Sequence, residues 1–241
     1  MLILFDIDGT ILKMKNGISK EIFSGYLVKL FGRKIDAKDI PAFHGMTDIQ
    51  IIKEIADNIN YPFEKIEHKL FDIWKELSKD FAKYCTKENI GLMPGIENLI
   101  KLLAENREIK LGLLTGNIKS NAYAKLDTYN LSRYFPIGAF GDDHFDRNAL
   151  PAIAFDRANK FYKNVSFDAN NSMLVGDSPR DIECGQANSI VVLAVATGGI
   201  AIARLQQYQP DYIFDDFSDW NKVYTTIIKH FENGKENNHS D

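Results

Sequence analysis

Apolar positions along this chain follow two rhythms, and the switch between them divides it. Leu2, Ile3, Leu4 and Phe5 form an unbroken apolar run, which predicts a short strand buried on both faces. It ends in Asp6-Ile7-Asp8-Gly9-Thr10. With no basic segment before it and too few apolar residues for a signal peptide, this N-terminus is expected to stay in place and enter the core. From 13 to 89 the spacing turns helical. Lys13 to Gly17 is polar, and Asn16-Gly17 predicts a hairpin-like flap. Ser19 opens a helix with Ile22, Tyr26, Leu27 and Leu30 on one face, and Gly32 is placed to end it. Thr47 and Gln50 have capping-box spacing ahead of Ile51, Ile52 and Ile55. Between Phe63 and Lys87, residues Ile66, Leu70, Ile73, Leu77, Phe81 and Tyr84 recur every three or four positions, predicting one long amphipathic helix with Trp74 in the packing of that block.

Past Met93-Pro94-Gly95 short apolar runs alternate with helical stretches. Leu111 to Leu114 ends in Thr115-Gly116-Asn117, Ile137 to Phe140 in Gly141-Asp142-Asp143, and Met173 to Val175 in Gly176-Asp177. Ile190 to Ala196 then ends in Thr197-Gly198-Gly199, and Tyr212 to Phe214 in Asp215-Asp216. Helices are expected over 96–103, 118–129 and 150–161. The alternation predicts an α/β chain: a Rossmann-like, doubly wound parallel sheet over 1–12 and 90–232, with an all-helical insert over 13–89. The small polar residues of 233–241 predict a disordered tail. Ligands of such sheets bind beyond the carboxyl ends of the strands, where the polar residues of this chain collect.

Composition narrows the function. The 241 residues are 45% hydrophobic and 26% charged, with a net charge of -4. That balance, without a basic stripe, argues against a nucleic-acid partner. No apolar stretch approaches the roughly 20 residues of a membrane span, which argues against a membrane partner. Cys85 and Cys184 are far apart with no metal-site spacing, so reduced thiols and a cytoplasmic setting are expected.

The candidate chemistry is acidic. Asp6 and Asp8 alternate at a strand end and are expected on one face, where two like charges repel unless a cation or a proton lies between them. Alone, Asp-Gly reads equally well as a turn, and Asp177 or Asp181 in Gly-Asp-Ser-Pro-Arg-Asp as a helix-terminal charge. Convergence of these acids on one crevice requires a divalent cation, and hard oxygen donors select Mg²⁺. Carboxylates, the Thr115 hydroxyl, free N–H groups and a cation suit a phosphoryl group, with an aspartate as nucleophile.

Asp6-Ile7-Asp8-Gly9-Thr10, Leu113-Leu114-Thr115-Gly116-Asn117 and Gly176-Asp177-Ser178-Pro179-Arg180-Asp181 resemble, in order, three of the four motifs of the haloacid dehalogenase (HAD) superfamily. Met93-Pro94-Gly95 and His44-Gly45-Met46-Thr47-Asp48 are similar to its phosphoglycolate-phosphatase-like branch. The resemblance implies Asp6 as nucleophile and Mg²⁺ ligand, and Asp8 as acid/base with its carbonyl on the metal. Thr115, with Gly116 and Asn117, would hold the phosphoryl group, Gly9 and Thr10 would line it, and Asp177 and Asp181 would complete the metal site. The helical insert would be a cap, with His44 on a substrate-facing loop, although a surface or capping role serves His44 and Asp48 equally well. In place of the family's usual third-motif Lys stands Arg147, with Lys160 and Lys163 as competitors that read as surface charges.

The function expected is a Mg²⁺-dependent phosphatase acting on a small phosphorylated metabolite. A phosphomutase of the β-phosphoglucomutase type and a non-catalytic phospho-ligand sensor are the alternatives. Monomer and homodimer are both open.

Overall fold

The computed structural model describes residues 1–15, 18–41, 45–163 and 165–237. Its core is a six-stranded parallel sheet in the order β5-β4-β1-β6-β7-β8. The strands are β1 (Leu2–Phe5), β4 (Lys110–Leu114), β5 (Ile137–Ala139), β6 (Ser172–Gly176), β7 (Val191–Val195) and β8 (Tyr212–Phe214). Central β1 pairs with β4 through Phe5 and Leu113, and with β6 through Phe5 and Val175. This register aligns the strand ends that carry Asp6, Thr115 and Asp177.

Both sheet faces are covered, as the continuous apolar runs require. Ile3, Phe5, Leu113 and Val175 pack with α5 (Ile96–Glu105), α6 (Lys119–Asp127) and α10 (Trp220–Asn237). Leu2, Leu4, Leu114 and Leu174 pack on the opposite face with α7 (Leu150–Phe161) and with Cys184 of α8 (Pro179–Ala187). A short α9 (Ile202–Gln206) links the last two strands. Among the described residues no helix is long and apolar enough to cross a membrane.

The helical insert hangs from a two-stranded antiparallel ribbon, β2 (Leu12–Met14) against β3 (Ile90–Leu92). This pairing corrects the local flap expected over 13–17, because β2 finds its partner across the insert; the Asn16-Gly17 turn lies outside the described residues. Within the insert, α1 (Ile18–Phe31), α2 (Asp48–Asn58), α3 (Glu64–Glu67) and α4 (Leu70–Tyr84) enclose a separate apolar cluster. Tyr26, Leu27, Ile52, Ile55, Ile66 and Trp74 belong to it, and Ile118 joins it from the core. The single helix expected from 63 to 87 is two, because a tight turn with Lys69 N donating to Ile66 O at 2.9 Å interrupts it. Ile66 and Leu70 both stay buried across the break, so the apolar period conceals it. The side chain of Leu77 lies outside the described part. Thr47 caps α2 by accepting from Gln50 N at 3.1 Å, while the Gln50 side chain turns to Glu54, so half of the expected capping box forms.

Helix α10 continues to Asn237, past the start of the tail expected from 233. Val223, Ile227 and Phe231 anchor the helix, and one late glycine, Gly234, costs it only about 1 kcal/mol. Residues 238–241 lie outside the description.

Candidate active site

The chain leaves β1 at Phe5, but Asp6 N still donates to Val175 O at 2.9 Å, holding the Asp6 side chain at the sheet's carboxyl edge. There Asp6, Asp177 and Asp181, all buried, bring carboxylate oxygens within 4.8 Å of one another. Asp177 follows β6 directly. Asp181 lies in the first turn of α8, which starts where Ser178 caps it and Pro179 fixes the backbone.

Such crowding leaves a charge imbalance. Burial, then the Asp181 carboxylate, raises Asp6 to about 7, with Arg147 pulling the other way. Asp177 is raised well above the carboxylate range by burial, then by Asp6 and Asp181. Buried Arg147 offsets part of this: its Nη2 donates to Asp6 Oδ1 at 3.2 Å, to Leu114 O at 3.2 Å and to Asp181 Oδ1. Burial alone would lower the Arg147 pKa; Asp181 and Asp6 reverse that and raise it. Three carboxylates against one guanidinium, with hard oxygen donors, fit a divalent cation. Asp181 is already committed, since its Oδ2 also accepts from Ser178 N at 3.0 Å and Ser178 Oγ at 2.7 Å. The acids with capacity to spare are Asp6 and Asp177.

Asp8 differs from its neighbour. Instead of sharing one partner with Asp6, it meets a different cation: Lys125 Nζ lies 2.6 Å from Asp8 Oδ2, with 42% of the Asp8 side chain exposed. Asn117 Nδ2 donates to the same oxygen at 2.7 Å and to Thr115 Oγ1 at 2.8 Å, so the Asn117 side chain ties Asp8 to Thr115. The Thr10 hydroxyl, expected to line the substrate, instead donates to Asp177 Oδ1 at 2.9 Å. Gly9 has φ +94°, and a Cβ there would stand 2.4 Å from Asp177 Oδ2. Gly116 serves the insert, since its Cβ would lie 1.9 Å from Met46 O.

The structure thus brings together Asp6, Asp8, Gly9, Thr10, Thr115, Gly116, Asn117, Arg147, Asp177 and Asp181. Lys160 is paired with Asp156 at 2.7 Å on the surface, and Lys163 is exposed. His44 lies outside the described residues.

Several neighbours carry more than the sequence showed. Asp48, whose pKa burial raises to about 6, accepts from Ile118 N at 3.0 Å while its own N donates to Gly116 O at 2.9 Å. These bonds clamp the insert beside the site. Thr197 Oγ1 donates to Gly9 O, so the turn after β7 closes one wall. Lys125 was missed outright. Its signal was a charged residue in the inward stripe Ile118, Ala122, Lys125, Leu126.

Comparison with known proteins settles the family. Residues 3–195 match the family described as haloacid dehalogenase-like hydrolase. The chain belongs to that family. It is a HAD-type hydrolase. It is 23% identical over 219 residues to pyrophosphatase PpaX of Oceanobacillus iheyensis, covering 90% of this chain and 93% of that one. Its fold is shared with β-phosphoglucomutase of Clostridium difficile, with TM-score 0.70 at 18% identity over 96% of this chain and 97% of that one. A haloacid dehalogenase-like family hydrolase of Streptococcus pneumoniae matches with TM-score 0.60 at 20% identity over 94% and 97%.

Proposed function

We propose that this HAD-type hydrolase is a phosphatase that hydrolyses a small phosphorylated metabolite through a phosphorylated Asp6, with Mg²⁺ held by Asp6, Asp177 and the Asp8 carbonyl. The convergence of the Asp6, Asp177 and Asp181 carboxylates carries this reading. Bound there, the cation would neutralise phosphoryl and carboxylate charge.

The chain's own residues supply the remaining steps. An Asp6 oxygen attacks phosphorus as the bond to the leaving oxygen breaks, and Asp8 gives that oxygen a proton. Asp8 then takes a proton from water, whose oxygen attacks phosphorus, so phosphate leaves and Asp6 is regenerated. Thr115 Oγ1 accepts from Asn117, which leaves its O–H to donate to a phosphoryl oxygen. Arg147 orients Asp6, and its buried Nε, without a partner among the described residues, is a further donor for the phosphoryl group. Asp181 holds Arg147 and would assist the metal site directly or through water. The insert serves as a cap that excludes water when it closes.

The test is hydrolysis of an aryl phosphate with Mg²⁺, with chelator, and by Asp6→Asn. Mg²⁺-dependent turnover absent from the variant supports the reading; turnover that survives either change contradicts it. The name of the relative makes inorganic pyrophosphate the first addition to a panel of small phosphates. Conversion of a hexose 1-phosphate to its isomer, without release of phosphate, would replace hydrolysis with mutase chemistry.

A further inference from the structure

We infer that Lys125 is a positioning residue that fixes Asp8 for proton transfer to the leaving group. The inference rests on Asp8 being the acid/base of the proposed reaction.

Lysine is rarely buried unless paired, yet the Lys125 side chain is 7% exposed. It stands on the inward face of α6, between Ala122 and Leu126, with apolar neighbours on the helix face. Its ammonium lies 2.6 Å from Asp8 Oδ2 and donates to Asn117 Oδ1 at 2.6 Å. Asn117 Nδ2 closes the triangle on the same Asp8 oxygen at 2.7 Å. Two donors on Oδ2 fix the plane of the carboxylate and leave Oδ1 as the oxygen that exchanges a proton with substrate or water. Without Lys125 the Asp8 side chain, part of it in solvent, would have a single short tether.

Lys125 also reaches the cap. Its Nζ lies 5.6 Å from the centroid of the Phe81 ring on α4, close enough for a cation–π contact. The acid/base, the phosphoryl-side residue Thr115 through Asn117, and a cap helix therefore meet at one ammonium. Ion-pairing for stability alone would not require a partner carboxylate open to the cleft.

The experiment compares the unmodified protein with Lys125→Met, Lys125→Arg, Asp8→Asn and the double variant Asp8→Asn/Lys125→Met. The substrates are aryl phosphates whose leaving phenols span a range of acidity. A residue that acts through Asp8 costs on the order of 10²-fold in kcat/KM, which reads transfer to Asp6 alone, with poor leaving groups and little with good ones, since only poor ones need the proton. Lys125→Met should add no loss in the Asp8→Asn background, and Lys125→Arg should recover part of the rate. A loss equal for all leaving groups, or additive with Asp8→Asn, overturns the inference. A crystal structure of Lys125→Met decides the same point without activity. Asp8 turned away from Asn117 supports the inference, and Asp8 unmoved overturns it. If the unmodified protein hydrolyses nothing, the proposed function fails separately and the crystal structure alone judges the role of Lys125.

Discussion

Arg147 Nη2 and Asp6 Oδ1 lie 3.2 Å apart across 141 residues of chain, joining the start of the sequence to the turn ahead of α7. The contact puts a fixed cation against the proposed nucleophile, and the same guanidinium nitrogen also holds Asp181. Guanidinium fits this task because a single Nη carries two N–H donors in a rigid plane, enough for two carboxylates at once.

Replacing Arg147 with Met should therefore strand two buried carboxylates and destabilise the fold by about 3–5 kcal/mol. Arg147→Lys keeps the charge but loses the rigid, planar donor group, and should fold while turning over more slowly. Urea unfolding and steady-state rates of both variants check this; equal stability of Met and Arg forms would contradict it.

Asp6 at about 7 and Asp177, also raised, set the pH dependence of the metal-free protein. In the unfolded chain these groups titrate near 3.9. Between about pH 4 and pH 7 the folded protein thus binds more protons than the unfolded one. Stability must fall as pH rises through that window. Asp48, at about 6, acts in the same direction. Melts in chelator should show Tm dropping across this window, and saturating Mg²⁺ should reduce the drop by stabilising the ionised site.

Gly116→Ala would set a methyl carbon 1.9 Å from Met46 O. The insert must back away, breaking the bond from Asp48 N to Gly116 O. A stability loss of about 1–3 kcal/mol is expected for such overpacking. A fall in kcat/KM should accompany it, and hydrogen exchange should show faster exchange at Asp48 N and Ile118 N.

Thr10→Val keeps the shape of a buried side chain and removes the donor to Asp177 Oδ1. Loss of a bond that orients a metal ligand should weaken Mg²⁺ affinity about 10–100-fold. The Mg²⁺ activation curve reads this directly, and an unchanged midpoint would show that Asp177 needs no such support.

The parallel core and the placement of Asp6, Thr115 and Asp177 at strand ends were legible because both follow from local pattern. Continuous apolar runs give buried strands, and a polar residue straight after such a run can only sit at the carboxyl edge. What was hidden depended on contacts distant in sequence. The pairing of β2 with β3 joins segments on either side of the insert, so nothing in 12–14 alone announces it. The turn at His68 and Lys69 leaves the apolar period intact. Thr10 and Asn117 lie within the motifs whose resemblance places them at the substrate, and nothing in those motifs announces that their side chains also bond Asp177 and Asp8, far away in sequence. Lys125 sits in an apolar stripe, where its charge was the only sign, and its target Asp8 lies 117 residues away.

The central claim is that Asp6 carries the phosphoryl group. Rapid quenching of a single turnover, reduction with borohydride and mass spectrometry of the peptides would locate an acyl phosphate. The account predicts reduction to homoserine at position 6, dependent on Mg²⁺ and absent from Asp6→Asn. Turnover with the adduct on another residue, or by an Asp6→Asn protein, would contradict it.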